Sequence, residues 1–154
     1  MFGRALFAFL VLPGCIGFLI PLFLFRPRGG WPPFHPLAVL PLGVGSFLLL
    51  WCVRDFYVTG KGTLAPWSPP ERLVAVGLYR WSRNPMYVAV FLILLGWAIG
   101  FGTRGLWIYA FAVLAGFHLR VVLFEEPWLT RRHREEYLRY RAAVPRWLGW
   151  RHLA

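Results

Sequence analysis

Four apolar runs, separated by short polar connections, constrain this 154-residue chain more than any other feature. Residues 5–25 carry no charged side chain and, wound as a helix, would cross a hydrocarbon core of about 30 Å. Pro13 and Pro21 are expected to bend this helix, which neighbouring helices can tolerate. Residues 37–53 form the second run, where Gly43, Gly45 and Ser46 offer close approach to another helix. The third extends from Met86 to Phe101 and the fourth from Leu106 to Phe124. Only Gly102-Thr103-Arg104-Gly105 separates these two, so they are expected to pack as a tight antiparallel hairpin. The expected fold is all-α: a multi-pass integral membrane protein of about four transmembrane helices with an amphipathic cytoplasmic helix at the C-terminus. A single domain over residues 1–154 accommodates it, with two spans in 1–58 and two spans plus the tail in 59–148.

Composition supports the bilayer. The chain is 58% hydrophobic, above the roughly 45–50% of soluble domains. A net charge of +11 is by itself compatible with nucleic-acid binding, but the basic residues lie between the apolar runs rather than along one polar face, so no nucleic-acid partner is expected. Arginines at membrane borders instead set topology and meet anionic lipid headgroups. Arg54, Lys61, Arg72, Arg80 and Arg83 occupy the connection between the second and third runs. Arg131, Arg132, Arg134, Arg139, Arg141, Arg146 and Arg151 follow the fourth. The opposite connections hold only Arg26, Arg28 and Arg104. The positive-inside rule therefore assigns both termini, the long loop and the tail to the cytoplasm.

The long loop is irregular, broken by Gly60, Gly62, Pro66, Pro69 and Pro70 before a short ordered piece from Glu71. The tail from Trp128 to Ala143 is rich in helix formers, with Tyr137, Tyr140 and Val144 spaced to share a face. Cys15 and Cys52 sit in apolar runs without metal-ligand spacing, and no metal site is expected. No phosphate-binding glycine loop or Ser/His/Asp arrangement is present either.

Glu125-Glu126 is the sharpest chemical signal, because carboxylates at a membrane boundary are costly and are usually paired or functional. Two readings stand: the doublet caps a helix end and pairs with Arg131 or Arg132, or it accepts hydrogen bonds from hydroxyls or an ammonium. Pro127 is expected to start a new helix and place the doublet at a bend. Arg120, inside the fourth run, either orients an anionic group or pairs with Glu125. His118 reads as a packing residue, and Arg54-Asp55 as a local ion pair. Asn84-Pro85 suits a helix start, Asn84 as N-cap and Pro85 at the first helical position. The same geometry would aim free amides and the Asn84 side chain at the cytoplasmic mouth, where a cofactor could bind.

In order, the chain offers Leu73, Val74, Gly77 and Tyr79, then Arg83, Asn84, Pro85 and Tyr87. After an apolar stretch come Glu125, Glu126 and Leu129, then Tyr137, Tyr140, Val144 and Pro145. Over residues 60–148 this succession resembles the isoprenylcysteine carboxyl methyltransferase family in its small bacterial branch, and more distantly the phospholipid N-methyltransferases. The resemblance implies a multi-pass enzyme of a bacterial inner membrane that binds S-adenosyl-L-methionine in its C-terminal half. It implies cofactor contacts at Leu73, Val74, Tyr79, Arg83, Asn84, Pro85, Met86, Tyr87, Glu125, Tyr137 and Tyr140. Arg120 would orient the substrate, and an amine acceptor would need a proton taken by Glu126 or by water. The implied acceptor is a lipophilic small molecule or lipid-modified substrate, carrying a carboxylate for O-methylation. An amine N-methyltransferase, or a non-enzymatic membrane protein with the same helices, are the alternatives. Three positions depart from the family pattern: Asn84 where the eukaryotic enzymes have His, Ala89 where Gly is usual, and His133-Arg134 where Phe-Gly is common.

Overall fold

A computed structural model of the chain describes residues 10–24, 30, 32–59 and 73–148, and every regular element among them is helical. Several residues invoked above lie outside this set: 5–9 of the first run, Arg26, Arg28, the loop 60–72 with Lys61, Glu71 and Arg72, and Arg151.

The first helix, α1, is π-wound over Leu10–Leu19 and α-helical over Ile20–Leu24. Pro21 leaves its mark on the winding. A π turn directs the carbonyl of residue i to the N–H of residue i+5. For Ile16 that residue is Pro21, which has no N–H to give. The Tyr109 hydroxyl donates instead, 3.0 Å from the Ile16 carbonyl oxygen.

A 3₁₀ turn at Pro36–Ala38 leads into α2, Val39–Thr59. The remaining helices are α3, Pro85–Phe101, α4, Arg104–Arg120, and α5, Glu126–Ala143. The hairpin between α3 and α4 is as short as expected. Gly102, at φ 63°, ends α3 in the left-handed region and donates its N–H to Ala98. The antiparallel pair α2 and α3 cross closely because glycines remove side chains at the contact. A Cβ on Gly45 would lie 2.8 Å from the Ala89 carbonyl oxygen, and one on Gly96 would lie 2.4 Å from Leu42 Cγ. Gly43, expected to help, faces open space. Leu49, Ala89, Val90, Ile93, Leu94 and Ala110 form the buried core.

The outward faces are also apolar: Leu40, Phe47 and Leu50 on α2, and Ile108, Phe111 and Leu119 on α4, are all exposed. Large exposed apolar faces suit a hydrocarbon environment rather than water. Among the described residues, two helices are long and apolar enough to cross a membrane, Pro36–Asp55 and Arg104–Ala143, while Pro13–Phe23 and Pro85–Phe101 are apolar but shorter. The 40 residues of Arg104–Ala143 would reach about 60 Å, twice the hydrocarbon thickness. Only its apolar half, to Phe124, is suited to the bilayer.

That continuity corrects the expected bend at Pro127. The helix passes through the doublet without interruption by adopting a π-wound stretch, Val121–Glu125, immediately before Glu126. Pro127 falls at the start of the following α-helical segment, where its missing N–H costs little. The break in helical geometry comes later, at Arg134, with φ 39° and ψ −113°. Left-handed backbone is costly for a residue with a Cβ, by about 1–3 kcal/mol. This is the position where the resembling family commonly has glycine. Arg134→Gly is therefore expected to raise the melting temperature by about 2–4 °C, whereas Arg134→Ala, which keeps the Cβ, should give no gain. A lower melting temperature for the glycine variant would contradict the strain.

Candidate functional site

The C-terminal end of α2, the N-terminal end of α3 and the C-terminal end of α4 share one end of the bundle, as the antiparallel order requires. The segment 73–84 lies there, extended at first and then turned into a 3₁₀ helix at Gly77–Arg80. Its anchor is Tyr79, buried in an apolar cluster with Cys52, Val74, Leu78 and Met86.

The tail returns to this segment and is tied to it at several points. The Tyr140 hydroxyl donates to the Tyr79 carbonyl at 2.6 Å. The Arg83 N–H donates to the Pro145 carbonyl at 2.9 Å, and the Asn84 side-chain amide donates to the Arg146 carbonyl at 2.9 Å. Asn84 is thus not the side-chain cap expected at the start of α3. Its φ of −132° and ψ of 50° turn the amide towards the tail, and its own N–H donates to Ser82 Oγ at 3.1 Å.

Glu126 fastens the same junction by charge. Its carboxylate is buried, with 8% of the residue exposed. Arg83 Nη1 lies 3.0 Å from Oε1. Arg146 grips both oxygens, Nε to Oε1 at 2.7 Å and Nη2 to Oε2 at 3.0 Å. The fork of a guanidinium matches a carboxylate in this bidentate way. Arg83 Nη1 also donates to the Tyr137 hydroxyl at 3.1 Å. The expected partners Arg131 and Arg132 are exposed, and Arg132 lies over the Trp128 ring, 5.6 Å from its centroid.

Burial works to raise the Glu126 carboxyl, but the Arg146 hydrogen bond and the Arg83 and Arg146 charges outweigh it and hold the group below the ordinary glutamate value. A folded value below the unfolded one contributes stability that is complete above the unfolded value, about 4.3, and is lost as pH falls through the folded value. The hold on the tail is therefore expected to weaken progressively as the pH falls below about 4, read as rising pepsin cleavage at the buried Tyr137. Protection that stays the same as the pH falls below the ordinary glutamate range would contradict this linkage.

Glu125 faces a different set of groups. One of its oxygens, Oε1, accepts from both the Tyr87 hydroxyl and Arg120 Nε, the latter at 2.8 Å. Tyr87 is held by stacking on Phe117, with ring centroids 4.3 Å apart. Arg120 is 47% exposed in its side chain and Glu125 30%, so this node borders solvent, whereas the Glu126 carboxylate is covered and only Arg146 of its junction reaches the surface. Trp147, from the returning tail, stacks near His118 and donates to its Nδ1 at 3.4 Å. Adjacent residues of a helix point about 100° apart, so the two carboxylates can serve separate arginines, and the π-wound stretch lies directly before Glu126. Such bulges redirect side chains within a helix and are frequent at functional sites.

The residues singled out from sequence thus fall into three groups. Val74, Tyr79 and Met86 belong to the apolar cluster, with Leu73 leading into it and Pro85 buried at the head of α3. Arg83, Asn84, Glu126, Tyr137 and Tyr140 hold the tail. Tyr87, Arg120 and Glu125 form the solvent-bordering node. Sequence reasoning missed Arg146, Ser82, Phe117 and Trp147. A hint for Arg146 was its place directly after Val144-Pro145 in an otherwise unassigned tail.

A family model described as phospholipid methyltransferase matches residues 34–136, from just before α2 to the first part of α5. No curated protein and no solved structure matches the chain.

Proposed function

As the chain belongs to the phospholipid methyltransferase family, we propose that it transfers a methyl group from S-adenosyl-L-methionine to an acceptor in or on the membrane. The residues present suit such a donor. An apolar cluster beside a half-buried carboxylate offers a wall for the adenine ring and an acceptor for hydroxyl or ammonium groups. When bound, the donor supplies an electrophilic methyl group on a sulfonium, so the protein need only align the reacting atoms and exclude water.

The observation that carries the reading furthest is the Tyr87–Glu125–Arg120 node. Glu125 anchors the cofactor side. Arg120, half exposed at the edge of the same node, orients an anionic acceptor. A carboxylate acceptor needs no base, since its oxygen already carries the charge required for attack. Isoprenylcysteine-type O-methylation is therefore the preferred chemistry. The lipophilic body of the substrate would approach between the helices, with no nucleic-acid partner and no metal. Four spans within a single membrane domain, with the site and both termini on the cytoplasmic side, complete the proposal.

The family match itself favours a second reading, N-methylation of a phospholipid amine. That reaction must release a proton. Glu126 is poorly suited to take it, because two arginines already hold the carboxylate in its charged form. Water would serve instead. Membranes containing the purified protein, supplied with methyl-labelled S-adenosylmethionine, separate the readings. Label released by mild base marks a carboxyl ester, and base-stable label in the lipid fraction marks an amine. No label in either fraction would sink both.

A further inference from the structure

Three glycines of the spans are explained by what they touch. A Cβ on Gly45, Gly96 or Gly100 would run into the helix or side chain packed against it. Gly116 is different. It lies within α4, it is exposed, and a Cβ there would meet no described atom within 4 Å. Glycine weakens a helix interior relative to alanine, and no packing contact among the described residues offsets that cost here.

Its neighbours along the helix give the open space a direction. Tyr109, Val113, Gly116 and Arg120 follow one another at i, i+4, i+7 and i+11, the spacing that puts residues on one face. At one end of this face the Tyr109 hydroxyl donates to the Ile16 carbonyl, so α1 meets α4 there. At the other end Arg120 bonds Glu125 through Nε and keeps 47% of its side chain exposed. The large exposed side chains Ile108, Phe111 and Leu119 lie farther round the helix. The face is thus closed at one end by a helix contact, unobstructed at Gly116, and open at the other end beside a cation. From Tyr109 to Arg120 the helix rises about 16 Å, roughly half of a hydrocarbon core of about 30 Å. That is the depth of one leaflet. A hydrocarbon chain of that reach with an anionic head matches both the length of the face and the charge at its mouth.

We propose that this face of α4 is the track on which the acceptor's hydrocarbon chain lies, with its anionic group at Arg120 and with Gly116 setting the room beside the chain. The proposal rests on the methyltransferase reading. It adds a substrate class to it, a single-chain anionic amphiphile that reaches no deeper than one leaflet. Gly43 of α2 is equally open but lies about three turns from the end of that helix that borders the site, so it provides a control.

The test uses the full chain in detergent and a palmitic acid probe carrying a photoactivatable diazirine in mid-chain. Wild type should take the label saturably in the tryptic peptide of residues 105–120, with palmitate competing and butyrate not. Gly116→Leu should cut that labelling about tenfold, the scale of one overpacked side chain, and leave S-adenosylmethionine binding within about twofold of wild type. Gly43→Leu, the same change on another open face, should keep both. Label that does not saturate, that spreads evenly over α2 and α4, or that Gly116→Leu leaves unchanged would overturn the track. So would a joint loss of label and cofactor binding at a lowered melting temperature, which would make Gly116 a structural residue. If Gly116→Leu does not fold, the wild type decides. The methyl ester of the probe, which has no charge for Arg120, should then label residues 105–120 at least about tenfold more weakly than the acid, and equal labelling overturns the proposal. A wild type that binds S-adenosylmethionine but takes no saturable label loses the track alone. A folded wild type that binds no S-adenosylmethionine loses the methyltransferase reading, and the track with it.

Discussion

Replacing Glu126 by glutamine is expected to cost about 3–5 kcal/mol of stability, the range for removing one partner of a buried ion pair. The variant is nearly isosteric, so the loss measures charge rather than volume. Arg83, whose side chain is 9% exposed, would be left without its counter-ion, and Arg146 would lose both oxygens of its bidentate contact. At this chain length the change corresponds to a fall in melting temperature on the order of 10 °C. The tail should become susceptible to trypsin at Arg139 and Arg141, since the contacts of Tyr140, Pro145 and Arg146 with the 79–84 segment depend on the same junction. Removing the buried charges together, as Arg83→Met with Glu126→Leu, should recover much of the loss, with Arg146 turning to water. A Glu126→Gln protein as stable as wild type would show that the tail is held by other means.

Glu125→Ala should do the opposite: little change in stability and a large loss of function. The carboxylate is partly exposed and its partners can reach solvent, so the pair contributes little to folding. Its value on the proposed reading lies in cofactor binding. Losing a hydrogen bond to a charged group costs about 1.5–3 kcal/mol, so affinity for S-adenosylmethionine should fall about 10–100-fold. Methyl transfer should fall further, because Arg120 loses the contact that fixes it beside Tyr87. Tyr87→Phe, which removes one donor and keeps the stack on Phe117, should show a milder version. If Glu125→Ala unfolded the protein while Glu126→Gln did not, the two carboxylates would have exchanged roles and the account would be wrong.

The division of labour within the doublet was not legible in the sequence, and the reason is physical. Periodicity relates a helical residue only to neighbours three or four positions away, and Arg131 and Arg132, five to seven positions on, were simply the first arginines to follow the doublet. The actual partners of Glu126 are 43 and 20 positions distant, brought in by the hairpin and the returning tail. The π winding at Val121–Glu125 has no glycine or proline to announce it. The local reading did better where the signal was local. The apolar runs match α2, α3 and α4 closely, and Gly102 marks the turn between the last two. The same limit explains Asn84, whose sequence says N-cap while its amide bonds to a carbonyl 62 positions away. Gly96, which lets α2 and α3 meet, drew no notice because a single glycine in an apolar run looks unremarkable until its neighbour is known.

Calorimetric titration of S-adenosylmethionine into the folded, detergent-solubilised wild type addresses the central claim most directly. A saturable, one-to-one heat of binding, weakened in Glu125→Ala at unchanged melting temperature, is the predicted result. Absence of any binding to a demonstrably folded wild type would contradict it, leaving a membrane protein that keeps the family's helices without its chemistry.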